Sequence, residues 1–175
     1  MAHIHEKIDF TASVFIVHEG KVLLQMHKKL GTLLQPGGHI ELDQGPDETA
    51  RKEVREETGL EVELIGSRSA DATIPGDTVP PVFINRHHFN ETHEHIDFTY
   101  FGRVVGGELR PEEGTNTAFR WLSREEIETN TELWPTTKAY ALAALDALGG
   151  VRGFCTNVIV TPLAQNQTVV RGRII

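Results

Sequence analysis

The stretch GGHIELDQGPDETARKEVREETGL, residues 37–60, decides how the rest of the chain is read. Its second half has the marks of one short helix. Gly45 is placed to be the N-cap, Pro46 stands where a first-turn proline is tolerated, and Asp47 and Glu48 put negative charge on the positive end of the helix dipole. Gly59 supplies a left-handed stop. On a helical wheel Ala50 and Val54 mark the buried side, Glu53 and Glu57 lie just beside them, and Glu56 falls a little further round.

The charges along this helix pair unevenly. Asp47–Arg51, Glu48–Lys52 and Lys52–Glu56 are opposite-sign pairs at i,i+4, whereas Glu53 and Glu57 face each other at the same spacing, a like-charge contact costing roughly 0.2–0.5 kcal/mol. A charged surface helix is the usual reading of such a segment. Here the two carboxylates border the apolar stripe, where desolvation is costly without a cation, and they follow a Pro-Gly-Gly turn that lets backbone approach a ligand. Clustered hard oxygen ligands are what Mg²⁺ takes, together with waters and substrate phosphates, so a metal site is the better expectation.

With those residues in place, the stretch resembles the signature of the Nudix hydrolases, G-x5-E-x7-R-E-U-x-E-E-x-G-U with U aliphatic. The match begins at Gly38 and ends with Glu53, Val54, Glu56, Glu57, Gly59 and Leu60 in register. Two positions depart: Gln44 stands for the first Glu and Lys52 for the Arg. The resemblance implies an α/β fold, an α/β/α sandwich with a mixed central sheet. The activity it implies is hydrolysis of a nucleoside diphosphate linked to another group, water attacking one phosphorus with Mg²⁺ (or Mn²⁺) as cofactor. It makes Glu56 and Glu57 metal ligands, Glu53 a ligand or the general base, and the backbone carbonyl of Gly37 or Gly38 a further ligand. Lys52 keeps the positive charge that steadies Glu53 without the bidentate fork of an Arg. Gln44 leaves one carboxylate fewer, a loss that Glu41 or Asp43 would make up, or that would leave a catalytically weak nucleotide-binding sensor.

Composition bounds the answer from outside. At 175 residues and 39% hydrophobic, the chain is expected to be one globular domain over residues 1–150, with 151–175 a C-terminal extension that adds edge strands or covers a partner in a homodimer. No apolar run approaches the ~20 residues that span a bilayer. The segment MAHIHEKIDF has no hydrophobic region of a secretory signal, and the single cysteine, Cys155, fits a reducing, cytoplasmic setting. A net charge of −8 argues against polymeric nucleic acid and leaves room for a small anionic substrate neutralised locally by metal.

Along the chain, Thr11–His18 and Lys21–Met26 are apolar runs joined at Glu19-Gly20, a hairpin pattern. The basic cluster His27, Lys28 and Lys29 leads into the glycine turn and is a candidate for phosphate contact. Leu33–Gln35 and Glu61–Ile65 read as strands, and residues 67–81 as a loop beside the site that helps set specificity. A second hairpin, Val82–Phe89 with His95–Val105, turns at Asn90-Glu91-Thr92. In its second strand Ile96, Phe98 and Tyr100 alternate with His95, Asp97 and Thr99, a core face and a polar floor. The resemblance implies that this region faces the metal helix and adds an acidic ligand or base, with Glu91, Glu94 and Asp97 as the alternatives. His39, His95, Asp97 and Glu94 join Lys28 and Lys29 as candidate substrate contacts.

His93-x-His95 also resembles the metal-binding HxH of cupins, which would mean a jelly roll and a transition metal. Against that stand the glutamate helix and two further helical segments. One of these begins at Ser123-Arg124-Glu125-Glu126, with capping-box spacing, and the other is Thr136–Leu148, with Ala139, Leu142, Leu145 and Leu148 as its apolar positions. A Nudix-type prenyl diphosphate isomerase would want a cysteine near the site, and Cys155 lies far off in sequence.

Overall fold

The computed structural model describes residues 7–66, 76–112 and 118–149. The elements run β1 (Ile8–His18), β2 (Lys21–His27), β3 (Thr32–Leu34), β4 (Gly37–His39), α1 (Pro46–Thr58), β5 (Leu60–Leu64), β6 (Phe83–His88), β7 (Glu94–Gly107), β8 (Phe119–Leu122), α2 (Arg124–Thr129) and α3 (Pro135–Leu148). Cys155 and the two tail segments, 156–160 and 168–175, lie outside the described residues.

One eight-stranded sheet holds all the strands among the described residues. The first hairpin closes as expected, with His18 opposite Lys21 and positive φ at both Glu19 (48°) and Gly20 (73°), a mirror-type turn matching the strand twist. Two long strands form the spine. β1 and β7 run parallel in register from Ile8↔Glu94 to Val17↔Arg103, which makes the sheet mixed and excludes the all-antiparallel jelly roll. Each of them forks. β1 pairs with β4 over its first half and with β2 over its second, and β7 pairs with β6 and then with β5.

Helices cover both faces, as the α/β/α expectation requires. Ala50 and Val54 of α1 join Ala12, Val14, Ile16, Leu23 and Tyr100 in one core layer. Ile127 of α2 and Ala141, Ala144, Leu145 and Leu148 of α3 join Phe15, Val17, Leu24 and Phe101 in the other. The strictly alternating assignment of β1 residues to the two layers follows from the period of two, and Thr11–Val17 are buried because both faces are covered. On α3, Leu145 and Leu148 are buried as read, whereas Ala139 is exposed, Leu142 is half-buried and Thr137 and Ala141 face inward. Small residues at the contact let α3 lie close to the sheet, and Phe83 stacks on Tyr140 at 4.3 Å.

The caps hold as read. Gly45 is the N-cap of α1, its N–H donating to Glu48 Oε2 at 3.0 Å, and Gly59 ends the helix at φ 72°. Asp47 is buried and pairs with Arg51 at 2.9 Å, and Thr78 donates to it as well. Ser123 caps α2 with the expected Glu126 reciprocation. No described helix is long and apolar enough to cross a membrane.

Candidate active site

The site begins where β1 forks. Val14 N–H still donates to Pro36 O at 3.0 Å, after which β4 takes over from β2 along β1. Glu57 fills the fork. Its Oε2 accepts from Gln25 Nε2 on β2 at 2.8 Å and from Gly37 N–H on β4 at 2.9 Å, so both prongs hold one oxygen and Oε1 is left for another ligand. One turn earlier, Glu53 lies against Gly38, where an added Cβ would come within 2.6 Å of its carboxylate. At Gly37 a Cβ would fall 2.5 Å from Ala12 O. The paired glycines are therefore a steric requirement of this close approach.

Burial is the largest effect on both carboxyls. It pushes Glu57 up to about 7, against the lowering effect of the Gly37 and Gln25 hydrogen bonds, with Glu53 and Glu112 adding repulsion. Glu53 is raised by burial first and then by Glu56, while Lys52 pulls it down and Glu112 and Glu41 push it up. Repulsion between the two helix carboxyls is thus a minor contributor beside burial, acting on Glu57. Glu56 is exposed and Lys52 and Glu53 are half-buried, and none of the three lines the adjoining cleft.

That cleft encloses about 510 Å³. Its lining includes Glu57, Gln25 and Gly38, the polar groups Thr11, Ser13 and Asp97, the cations Lys28 and Lys29, and His39, His95, Phe89 and Trp134. Seven of the residues singled out from the sequence (Gly38, Glu57, Lys28, Lys29, His39, His95, Asp97) thus line one cleft. Glu94 does not join them. It accepts from Arg86 Nη2 at 2.5 Å, which holds its carboxyl below the usual range, and it stands outside the lining.

Asp97 has a job of its own. Its Oδ1 accepts from Thr11 Oγ1 at 2.9 Å, and its Oδ2 from Ser13 Oγ and Thr99 Oγ1, both at 2.7 Å, so it ties β1 to β7 at the cleft. The polar side of β7 is the better buried one here: His95, Asp97 and Thr99 are buried, Ile96 and Phe98 only half-buried. Nor does that polar side face α1. Phe98 and Tyr100 pack on the α1 layer, which turns His95, Asp97 and Thr99 to the opposite face, and only the fork brings them near Glu57. The pKa of His95 is lowered by burial and by His39, His87 and His93 around it.

Several lining residues went unread in the sequence. Gln25, a buried amide inside the apolar run KVLLQMH, was a legible signal. Gln35 donates to Ser13 at 3.3 Å, and its buried Oε1 has no partner among the described residues. Glu112 follows β7 and acts electrostatically on both helix carboxyls, with no local pattern to announce it. Of the loop expected to govern specificity, residues 76–81 are described, and none of them lines the cleft.

Comparison with known proteins agrees with this architecture. The NUDIX domain pattern matches residues 8–145. A probable DHNTP pyrophosphohydrolase of Lactococcus lactis subsp. cremoris is 33% identical over 102 residues, and the match spans about half of each protein, 55% of this chain and 55% of that one. A MutT-like protein of Streptomyces ambofaciens is 29% identical over 139 residues, covering 79% of this chain and 75% of its own length. Among solved structures, a NUDIX family hydrolase from Clostridium perfringens superposes with a TM-score of 0.72 at 34% identity, over 80% of this chain and 97% of that one.

Proposed function

This chain belongs to the NUDIX family of hydrolases, and from that premise we propose that it hydrolyses a nucleoside diphosphate linked to another group, with Mg²⁺ or Mn²⁺ held by Glu53, Glu56, Glu57 and the backbone carbonyl of Gly38. The observation that carries this reading is Glu57 itself: a half-buried carboxyl in the strand fork, one oxygen held by two neutral donors, with Glu53 nearby on the same helix. A divalent cation offsets their desolvation, and an all-oxygen donor set suits these hard ions. When bound, the cation neutralises diphosphate oxygens and lowers the pKa of the attacking water.

The protein's own residues orient and enclose. Gln25 and Gly37 fix the Glu57 carboxylate, and Lys52 steadies Glu53. Lys28 and Lys29 meet the phosphates from the lining, in a chain whose net charge of −8 otherwise repels them. Trp134, partly exposed and lining the cleft, offers a face for a base. The substrate is a small nucleotide-type molecule of the cytoplasm.

A second reading, a nucleotide sensor with little turnover, is favoured by one feature. Gln44, in the place of the signature carboxylate, accepts from Thr49 Oγ1 at 3.1 Å and so turns towards its own helix. Phosphate release from nucleoside di- and triphosphates, sugar nucleotides, dinucleotides and DHNTP, with Mg²⁺ or Mn²⁺ and a coupled phosphatase, separates the two. Metal-dependent turnover abolished by Glu57→Gln is expected. Turnover unchanged by that substitution would sink the hydrolase mechanism, and tight Mg²⁺-dependent nucleotide binding without release over hours would favour the sensor.

A further inference from the structure

Away from the glutamate fork, four adjacent strands assemble a second donor set. β4, β1, β7 and β6 lie side by side, and their registers pair His39 with Thr11, Asp9 with His95, and His87 with His95. Asp9 precedes Thr11 by two residues and His93 precedes His95 by two, so the period of two turns all of them to the same face. The side chains converge there. Asp9 Oδ2 lies 3.0 Å from His93 Nε2 and 3.5 Å from His39 Nε2. The His95 ring centroid is 5.2 Å from both the His93 and the His39 rings, and His95 is steadied by stacking on Phe89 at 4.8 Å. One ligand atom from each of Asp9, His93 and His95 falls within 4.8 Å of the others.

We propose that Asp9, His93 and His95 form a site for a first-row transition ion of the Zn²⁺ class beside the cleft. The donor set sorts the metals. Two imidazoles and a carboxylate suit Zn²⁺, whose bonds to nitrogen and oxygen run about 2.0–2.2 Å, whereas the carboxylates of the fork suit Mg²⁺. A simple ion pair accounts for Asp9 and His93 alone. It leaves unexplained why His95, buried and stacked, and His39 close on the same carboxylate. His39 and His95 also line the cleft, so an ion here adds positive charge to the lining of a pocket that receives a polyanion.

The test is isothermal titration of the full chain with Zn²⁺ in excess Mg²⁺, repeated with Co²⁺ for its visible tetrahedral bands. One equivalent is expected, weakened by at least about tenfold in Asp9→Asn and in His93→Ala and unchanged in Glu57→Gln. Asp9 is half exposed, so Asp9→Asn keeps the test valid should the histidine variant fail to fold, and circular dichroism of the metal-free proteins checks both. Absence of stoichiometric Zn²⁺ binding would overturn the proposal. So would binding indifferent to Asp9→Asn and His93→Ala, or binding lost only in Glu57→Gln, which would place the ion in the fork.

Discussion

Replacing Glu57 by Gln should stabilise the metal-free protein while destroying its proposed activity. In the fold the Glu57 carboxyl is raised from 4.5 to about 7, chiefly by burial. Between those values the folded chain holds a proton that the unfolded chain has released, so this group's contribution to stability falls as pH rises through that window. At about 1.4 kcal/mol per pH unit, the full effect is roughly 3 kcal/mol. Gln lacks the charge and keeps a carbonyl oxygen to accept from Gln25 and Gly37. The variant should therefore match the parent at pH 4.5 and below in chelator, and exceed it by roughly 3 kcal/mol at pH 8, about 6–12 °C in Tm for a chain of this size. Added Mg²⁺ should reverse the order, because only the parent gains RT ln(1 + [L]/Kd) from binding. Urea unfolding at both pH values, with and without Mg²⁺, measures each arm. A gap that does not change with pH, or that favours the parent at pH 8 without metal, would refute the account of Glu57 as a carboxylate waiting for a cation.

Three further outcomes follow from the same geometry. Gly38→Ala places a Cβ within 2.6 Å of the Glu53 carboxylate, so steady-state kinetics should show turnover down roughly a hundredfold with Tm changed by only a few degrees. Asp97→Asn weakens an acceptor that serves three hydroxyls between β1 and β7, and denaturant titration should register a loss of about 1–3 kcal/mol. Gly59→Ala forces a side chain into φ 72° and sets its Cβ 2.5 Å from Glu108 O, so unfolding free energy should drop by at least about 1–2 kcal/mol, read from the shift in denaturation midpoint.

What was legible followed from local rules. The turn at Glu19-Gly20 and the caps Gly45, Gly59 and Ser123 each depend on neighbours within a few positions, and each holds in the fold; along residues 95–100 the alternation of faces holds, but the polar side is the more buried one. On α3 the reading of Leu145 and Leu148 as core holds, while Ala139 is exposed and Thr137 and Ala141 face inward, because several alanines give the apolar stripe more than one plausible edge and only the sheet beneath selects one. Glu94 looked as available as Asp97, yet Arg86 across the hairpin engages it, while Asp97 is gripped by hydroxyls from another strand.

By itself the sequence determined the helix with its carboxylates at i and i+4, its capping glycines and the family signature, because a helix places residues four apart on one side whatever surrounds it. Tertiary structure decided what those carboxylates mean. Strand pairing put Gln25 and Gly37 on Glu57 and brought Thr11 to Asp97 from 86 residues away. It carried Glu112 towards the two helix glutamates, and it turned Asp9, His39, His93 and His95 to one face. Burial, register and the forking of β1 are properties of the assembled sheet, and no window of neighbouring residues contains them.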